Sequence, residues 1–504
     1  MISIIPRPNV IKEEDGEFVF FNAIKYHSKE ETETDWIISQ FCQDLDAMGL
    51  GSRALDEEEP NLTLKLEKKG NLREDRHCIQ ISHKVIKIEF GGKKSLLHAF
   101  SSLIQLIEPV NLEDAPRNLL KIPVARIEDY PHAPYRGLMI DVARKPHTID
   151  TLKMMVLLCY YYKINYLHVH FTDKQSYTLP SRALPKLPSK KRHFTFQEIK
   201  ELVDMADKRG VTIVPEIDMP GHSKAMISAM PALFAVNTKK NYKRILNAGK
   251  EEVYEAIDKI VSEVCDMFPN SPYIHLGADE ASYDGAEDDP DVARYMKEQG
   301  IPNTKELYRH FITRIYEIIE QHDRKLCIWE GFRPKGAIEI PKDVPVFIFE
   351  CYHNPKWLLD AGYDVVNTSW QPIYAVPRKS WPAETIYKWN MYRWENWSDH
   401  SAAYDNPFQF QPQRQILGAE MCSWEQREKD QLPEIRRRLA ALSENVWNES
   451  KAKSVEKEIN EKDVDDFMER LKKADAKLTR LLKGYFQQPN LRERLKKWFI
   501  RLLY

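Results

Sequence analysis

Apolar runs and helical stretches alternate along the chain from residue 136 to about residue 424. Eight apolar runs occur in order: RGLMIDVAR, INYLHVHFTD, VTIVPEID, YIHLGADE, KLCIWEG, VPVFIFECYH, YDVVNTSW and QILGAEMCSW. Continuous apolar runs are typical of parallel strands, because both faces of such strands are buried. Eight of them, alternating with helices, predict an α/β fold of the (β/α)8 barrel type.

The ends of these runs share a second feature, because nearly every run finishes in polar or aromatic side chains. These are Asp141, Arg144, Asp173, Glu216, Asp218, Asp279, Glu280, Trp329, Glu330, Glu350, Tyr352, Trp370, Trp424 and Glu425. The carboxyl ends of barrel strands converge on one mouth, where barrel enzymes keep their active sites. An open doubly wound sheet would usually carry a glycine-rich phosphate turn after its first strand, and this sequence has none.

The segments on either side of the barrel have different patterns. Residues 1–125 combine the strand-like runs EFVFFN, NLTLKLE, CIQIS and VIKIEF with the helical runs TETDWIISQFCQDLDAMGL and KSLLHAFSSLIQLI, which predicts an α+β accessory domain. The stretch EPVNLEDAPRNLLKIPVARIEDYPHAPY lacks a clean period and is interpreted as a connector. The barrel is expected over residues 126–450.

Residues 451–504 are highly charged and are expected to form a C-terminal helical extension. Its last segment places six apolar side chains at helical spacing, with Arg and Lys opposite. These are Leu491, Leu495, Trp498, Phe499, Leu502 and Leu503. Such a face would pack on the barrel or on a second copy of the chain, so a homodimer stays open, and a membrane-surface helix is the less favoured alternative.

Composition narrows the range of partners. The 504 residues are 42% apolar and 30% charged, with a net charge of −2, so neither nucleic acid nor an anionic membrane is an expected partner. No apolar run is long enough to cross a membrane, and the first residues lack the pattern of an export signal. The seven cysteines stand singly, which favours reduced thiols and a cytoplasmic setting, although a leader removed earlier would leave no trace in the sequence.

The strongest local signal is HLGADE, in which Asp279 and Glu280 follow an apolar run. Neighbouring strand residues point to opposite faces, so this pair cannot easily flank a sugar as nucleophile and acid in the usual two-carboxylate arrangement. The two acids would have to act from the same side, with the substrate supplying the nucleophile. A bare Asp-Glu pair is more often a solvated strand end, and the surrounding motifs are what favour chemistry here.

Taken together, the motifs resemble family 20 glycoside hydrolases, the β-N-acetylhexosaminidases, over about residues 130 to 450. The resemblance is carried by RGLMIDVAR, KINYLHVHFTD, VPEIDMPGHS, HLGADE, Trp329, SWQPIY, GAEMCSW and SENVW, in that order. The family's accessory domain also resembles the α+β segment at the N-terminus. The resemblance implies an exo-acting, retaining enzyme that acts on a terminal β-linked N-acetylhexosamine and needs neither metal nor organic cofactor.

The same resemblance implies a role for each matched residue. Glu280 would be the general acid and then the base, with a raised pKa; Asp279 would accept the acetamido N–H; and Tyr374 would donate to the acetamido oxygen, which attacks the anomeric carbon. This is the substrate-assisted route through an oxazolinium intermediate, an exception to the two-carboxylate scheme.

Six further residues are implied in substrate binding. Arg136 would bind ring hydroxyls, with a strand-capping ion pair as its alternative role. Asp173 and His222 would form a relay to Glu280, unless His222 is a structural histidine. Trp329, Trp381 and Trp424 would form an aromatic box around the N-acetyl group, although tryptophans are more often core residues.

Several positions depart from the family pattern. An aspartate and a glutamate are usual where this chain has Val376 and Gln426, and a Gly-Trp pair is usual where it has Ser176 and Tyr177. The sixth run ends in ECYHNP, not in a tryptophan. These changes leave the three catalytic residues in place and put the tolerance for different sugars in doubt.

Two other functions stay open. His168, His170 and Asp173 resemble a metal-ligand cluster, which would suit a metal-dependent barrel hydrolase, although more histidines would be expected at later strand ends. A sugar-binding protein without catalysis could also keep such a pocket. Metal analysis and turnover of a chromogenic N-acetylglucosaminide distinguish these functions.

Overall fold

The computed structural model describes residues 2–28, 31–51, 61–110, 119–242, 244–455 and 459–486. The chain divides into two compact units. One unit comprises the first four residues, Val10–Asp129 and the chain from Glu469 onward; the other comprises Ile5–Asn9 and Tyr130–Met468.

The first unit is a mixed sheet with helices on it. Its strands are β1 (Val10–Ser28), β2 (Asn61–Lys68), β3 (His77–Ile81), β4 (Ile86–Phe90), β5 (Glu108–Pro109) and β6 (Leu119–Asp129), in the order β1-β2-β4-β3-β6-β5, and β1 also pairs with β6. Helices α1 (Glu31–Ala47) and α2 (Lys93–Leu106) pack through Phe41 and Phe100, whose ring centroids are 4.8 Å apart. The predicted α+β accessory domain is confirmed.

The predicted connector is wrong in its second half, because β6 occupies that segment. Its side chains alternate between buried and half-buried over most of its length, as expected of a strand with one face on a core. Pro123 and the charged outward residues hide this alternation in the sequence. Pro123 is accommodated where the register of β1 shifts between Glu13 and Glu17, so the missing N–H falls beside an irregularity in the ladder.

The second unit contains the barrel. Its strands are β7 (Tyr135–Asp141), β8 (Tyr166–Thr172), β9 (Thr212–Ile217), β10 (Tyr273–His275), β11 (Lys325–Trp329), β12 (Val346–Ile348), β13 (Val365–Asn367), β14 (Tyr374–Val376), β15 (Lys379–Ser380), β16 (Arg393–Trp394), β17 (Phe408–Gln409) and β18 (Ile416–Ser423). Strands β7 to β13 pair in parallel in chain order, and β18 closes the ring by pairing with both β13 and β7. Each of the eight predicted runs contains one of these eight strands, so the (β/α)8 barrel is confirmed.

Helices cover the barrel strands because each has one apolar face. In α4, for example, Ile199, Leu202, Val203 and Ala206 are buried, and Thr195 caps the helix start. The helices of this unit are α3 (Ile149–Tyr161), α4 (Phe196–Lys208), α5 (Lys224–Ala229), α6 (Pro231–Phe234), α7 (Glu251–Met267), α8 (Pro290–Glu298), α9 (Thr304–Gln321), α10 (Lys356–Asp360), the kinked α11 (Trp370–Ile373), α12 (Ala383–Lys388), α13 (Glu428–Trp447) and α14 (Glu449–Lys453).

The chain between β13 and β18 carries an insertion at the mouth. Strand β14 pairs with the last residues of β18, which sets Tyr374 beside Cys422 at the carboxyl end of the barrel. Its partner β15 turns back in an antiparallel hairpin. This hairpin explains how a residue outside the eight barrel strands reaches the mouth.

Helix α15 (Glu461–Tyr485) follows the barrel and crosses from one compact unit to the other. The amphipathic segment from Leu491 to Leu503 lies outside the described residues, so its packing and the homodimer stay predictions. The predicted domain boundaries at residues 125 and 450 also stay predictions.

The seven cysteines match the expectation of reduced thiols, since all are free and five are buried. No helix among the described residues has the length and apolar character needed to span a membrane. The cytoplasmic setting stays a prediction.

Candidate active site

Asp279 and Glu280 lie on a tight turn beyond the end of β10. The strand ends at His275, and Gly277, Ala278 and Glu280 have φ values of 73°, 70° and 49°. A Cβ at Gly277 would lie 2.1 Å from Asp218 Oδ1, so this left-handed position needs glycine for space as well as conformation. The turn, and not strand alternation, sets the directions of the two acids, which corrects the assumption that they extend from a strand.

The two neighbouring carboxyl groups have opposite environments. Burial raises the pKa of Asp279 to about 6, against an opposing attraction from His222. Its Oδ1 is shielded from solvent and has no hydrogen-bond partner among the described residues. The Glu280 side chain is 55% exposed, and a hydrogen bond from His222 Nε2 to Glu280 Oε2, at 3.1 Å, holds the Glu280 pKa below its ordinary value. The expected raised pKa of Glu280 is therefore wrong for this open site.

Behind Glu280, His222 and Asp173 lie in one hydrogen-bonded chain, and their role as a relay in catalysis stays a prediction. His222 Nδ1 lies 3.3 Å from Asp173 Oδ1, and Asp173 Oδ2 accepts hydrogen bonds from His170 Nε2 at 3.1 Å and from Arg144 Nε at 2.6 Å. Burial lowers the His222 pKa, but Asp218 and the bonds to Asp173 and Glu280 outweigh it and raise that pKa to about 11. Burial would raise the Asp173 pKa, and these hydrogen bonds instead hold it well below its ordinary value. His222 is thus a protonated donor to both carboxylates.

The relay continues into the barrel interior. His170 Nδ1 donates to Glu216 Oε2 at 2.6 Å, and His168 Nε2 lies 3.2 Å from the same oxygen. The indole N–H of Trp329 donates to Glu216 Oε1 at 2.7 Å. His168 Nδ1 in turn bonds to Glu420 at 2.9 Å, so carboxylates and imidazoles alternate from Glu420 to Glu280.

The same interior groups are the ones that could hold a metal ion. Three groups of side chains each offer ligand atoms within 4.8 Å of one another. They are His168, Glu216 and His275; His170, Glu216 and Asp218; and Asp173, Asp218 and His222. His275 lies at the end of a later strand, where a metal centre would be expected to have a further histidine. In the structure, Glu216 already accepts the Trp329 indole and the His170 ring, so a metal there would have to displace these hydrogen bonds.

Aromatic rings form the wall opposite the acids. Tyr374 is 5% exposed, and burial raises its pKa well above the ordinary value, so the phenol keeps its proton. Phe349 and Trp370 contact it with ring centroids 6.4 Å and 5.7 Å away, and Trp424 packs on the same cluster as the buried Trp329. Neither ring was assigned a role in the site from the sequence, although Trp370 ends the seventh run and stands in SWQPIY, and Phe349 lies in the sixth run.

The prediction for Arg136 is wrong. Arg136 follows the first residue of β7, at the amino end of the barrel, and its guanidinium donates to the carbonyls of Lys163 and Ala133 at 2.9 Å and 2.8 Å. Its side chain also lies over the Trp447 ring. Arg136 therefore has a structural role, and it lies at the end of the strand opposite the barrel mouth.

Arg144 is the arginine that the structure brings to the site. Besides Asp173, it contacts Glu425 at 3.2 Å and lies 4.6 Å above the Trp424 ring. The signal was present in the sequence, because Arg144 ends the first run, and functional residues of barrels lie at carboxyl ends of strands.

The remaining expectations concern the edge of the pocket. Trp381 follows β15, where its carbonyl accepts from Arg438 at 2.6 Å, and no aromatic contact among the described residues joins it to Trp329 or Trp424, so its place in the aromatic box stays a prediction. Gln426 is buried and donates to the Ala375 carbonyl at 3.2 Å, which ties it to the hairpin that carries Val376. The two departures from the family pattern are thus neighbours.

Fold and site together define a TIM-barrel protein whose mouth combines carboxylates with aromatic rings, a combination suited to sugars. Comparison with family models identifies the family to which this barrel belongs. The model of the glycosyl hydrolase family 20 catalytic domain matches residues 133–450, and the model of domain 2 of that family matches residues 1–130. The chain therefore belongs to glycosyl hydrolase family 20.

Individual relatives agree with this assignment. A beta-hexosaminidase of Vibrio furnissii is 27% identical over 399 residues, which are 72% of this chain and 62% of that protein. The chain thus spans less than two thirds of that relative. Among solved structures, an exo beta-N-acetylglucosaminidase from Vibrio harveyi has a TM-score of 0.77 at 23% identity, covering 97% of this chain and 78% of the other. A beta-N-acetylhexosaminidase from Bacteroides fragilis has a TM-score of 0.76 at 22% identity, covering 95% and 96%.

The environment of Asp279 predicts a pH-dependent gain in stability for Asp279→Asn. The folded-state pKa of about 6 lies above the ordinary value of 3.8, so at acid pH the carboxyl is protonated whether the chain is folded or unfolded. Between the ordinary value and about 6 the unfolded chain releases this proton while the folded chain keeps it, so stability falls over that range and stays lower at every pH above it. We expect the Asn variant to raise the free energy of unfolding by about 1–3 kcal/mol at neutral pH and far less near about pH 4.

Urea unfolding at both pH values measures this difference. Asp288→Asn, at an exposed position on the same loop, is the matched control and should show no such pH dependence. A gain of the same size at both pH values would contradict the assigned burial of the Asp279 charge.

Proposed function

We propose that this chain is an exo-acting, retaining β-N-acetylhexosaminidase that removes terminal β-linked N-acetylglucosamine or N-acetylgalactosamine with the help of the substrate's own acetamido group. The observation that carries the proposal is the shielded, unpaired Oδ1 of Asp279 next to Glu280. A carboxylate oxygen is only an acceptor when ionised, and leaving it unpaired is unfavourable. An acetamido N–H supplies the missing donor.

Tyr374 complements Asp279 on the other side of that group. Its phenol stays protonated, and Asp279 is one of the charges that act on it. With the N–H held by Asp279 and the carbonyl oxygen held by Tyr374, the acetamido group is fixed in the orientation that attack requires. Trp329, Trp424 and Phe349 supply apolar surface for the methyl group and the sugar face.

The chemistry then proceeds in two balanced steps. In the first, the acetamido oxygen forms a bond to the anomeric carbon, the bond to the leaving oxygen breaks, and Glu280 gives its proton to that oxygen. In the second, water attacks the anomeric carbon and opens the oxazolinium ring while Glu280 takes the proton of the water. Two inversions give net retention.

Glu280 must be protonated when the first step begins, whereas the open site favours its ionised form. A sugar in the pocket removes water from its half-exposed carboxyl, and desolvation raises a carboxyl pKa. His222, protonated and 3.1 Å away, keeps the group oriented through both steps. We assign Arg144, in place of Arg136, the task of binding ring hydroxyls with its planar fork.

The named activities of similar proteins support the proposal. The relatives from Vibrio furnissii and Arabidopsis thaliana are beta-hexosaminidases, and the Vibrio harveyi and Streptomyces plicatus structures hold N-acetylglucosamine. A sugar-binding protein without turnover and a metal-dependent hydrolase are the alternatives, and the experiments below distinguish them.

Substrates with different leaving groups separate the roles of the two acids. We expect Glu280→Gln to lower kcat/KM by about 10²–10⁴-fold on N,N'-diacetylchitobiose, whose leaving oxygen needs a proton, and by much less on a nitrophenyl glycoside. Asp279→Asn should impair both substrates alike, because each needs the acetamido nucleophile.

Glu287→Gln, exposed on the same loop, is the control and should behave as wild type. Binding of N-acetylglucosamine without turnover would favour the sugar-binding protein, and loss of activity with a chelator would favour the metal-dependent hydrolase. Equal cleavage of β-glucosides without the amide would falsify the substrate-assisted route.

Tyr374→Phe tests the phenol separately. Removing the phenol O–H that orients the acetamido oxygen for attack should reduce kcat by about ten- to a hundredfold, or about 1.5–3 kcal/mol, with the fold intact. Steady-state kinetics on the nitrophenyl glycoside measure this, with Tyr404→Phe, at an exposed tyrosine, as the control. An unchanged kcat would remove Tyr374 from the mechanism.

A further inference from the structure

A cleft of about 660 Å³ opens directly beside the proposed acid. Glu280 and His222 form one wall, and the other walls come from the loops that follow β8, β9 and β10. Its volume is within the range of small-molecule sites. Because Glu280 must reach the leaving oxygen in the proposed mechanism, a group attached to that oxygen would lie close to Glu280, and this cleft is one of the two that Glu280 lines.

The cleft has an excess of positive charge. Besides protonated His222, four cationic side chains line it, Lys174, Lys224, Lys240 and Arg244, against two carboxylates, Glu280 and Asp284. All four cations are exposed, and none forms an ion pair with another of the described residues. Lys174 is close enough to help lower the Glu280 pKa. These cations are therefore available to a ligand.

The loop that carries Lys240 and Arg244 is fixed against the catalytic turn. Tyr283, three residues after Glu280, donates its O–H to the Leu246 carbonyl at 3.0 Å, and Asn241 Nδ2 donates to the Asp284 carbonyl at 3.2 Å. Leu246 N–H also donates to the Pro220 carbonyl at 3.0 Å. The backbone on either side of these two cations is thus held in place relative to Glu280 before a ligand arrives.

A second cleft on the other side of Glu280 shows that this excess is local. That cleft, of about 590 Å³, has four cations and four carboxylates along its walls: Lys305, Arg309, Arg333, Lys335, Glu280, Asp284, Glu306 and Glu330. Arg309 there donates to the carbonyls of Ile338 and Arg333, so it is not free for a ligand. The first cleft therefore differs from the second in having more cations than carboxylates along its walls.

We propose that the first cleft receives an anionic sugar as the leaving group, one that carries a carboxylate or a sulfate ester on the residue next to the cleaved N-acetylhexosamine. This specificity rests on the proposed function, since Glu280 defines which side is the leaving side. Attraction between fixed cations and the substituent stabilises bound substrate and speeds its association. Exposed charges are screened by salt, so the preference should weaken as ionic strength rises.

Three disaccharides that differ in one group test the preference. N-acetylglucosaminyl-β-1,4-glucose is neutral, the β-1,4-glucuronic acid analogue has a carboxylate at carbon 6, and the glucose 6-sulfate analogue has a sulfate there. We expect kcat/KM at low ionic strength to be about five- to tenfold higher for both anionic substrates, and the ratio to fall towards one at high salt. A preference for only one anion would identify which of the two the cleft takes.

The double variant Lys240→Gln/Arg244→Gln should bring the ratio of anionic to neutral kcat/KM close to one. Lys239→Gln removes an exposed charge from the same loop that does not line the cleft, and it should keep the wild-type ratio. Using a ratio makes the test independent of any general loss of activity. Equal kcat/KM for the three substrates in the wild type, or a ratio that survives the double variant, would overturn the anionic specificity while leaving the hydrolase intact. Failure to cleave any of the three would count against the proposed function itself.

Discussion

The barrel depends on one buried interaction, the pairing of Glu216 with donors from two other strands. Glu216, on β9, is completely buried and is bonded to His170 from β8 and to the Trp329 indole from β11, with His168 3.2 Å away. A charge without water needs such partners, and removing one partner of a buried pair typically costs about 3–5 kcal/mol. Burial would raise the Glu216 pKa, and these imidazoles instead hold it well below its ordinary value, so the charge is kept.

Two connections lead from Glu216 to the neighbouring acids. One is the chain of His170, Asp173 and His222, which ends on Glu280. The other is His275, whose ring lies 3.5 Å from Glu216 and accepts the Gly277 N–H at 3.0 Å, at the start of the turn that carries Asp279. Burial and the nearby charge of His168 lower the His275 pKa to about 4, so its Nδ1 is free to accept that bond. The same buried carboxylate thus supports both acids by different routes.

The sequence predicts the barrel well and the site in part, and the differences have physical causes. Apolar runs report burial on both faces, so the eight strands follow from pattern alone, whereas β6 was missed because Pro123 and outward charges obscure its alternation. Arg136 and Arg144 flank one run, and only the direction of the strand distinguishes the structural residue from the one at the mouth. The sequence could not predict that the pKa of Asp279 is raised while that of Glu280 is lowered. These shifts depend on which carboxyl oxygen the turn shields from water and which one His222 reaches.

The opposite pKa shifts of Asp279 and Glu280 follow from how far each carboxyl group is exposed to solvent. One oxygen of Asp279 is shielded from water and unpaired, so the site favours the neutral form of this acid until a donor arrives. Glu280 extends into water between two clefts, where protonated His222 and Lys174 favour its charge. In the proposed mechanism a bound N-acetylhexosamine changes both conditions, since its N–H pairs with Asp279 and its ring removes water from Glu280. Hydrogen bonding to the substrate favours the charged form of Asp279, and desolvation favours the neutral form of Glu280. Substrate binding would therefore drive Asp279 towards the ionised form and Glu280 towards the protonated form that the first step requires.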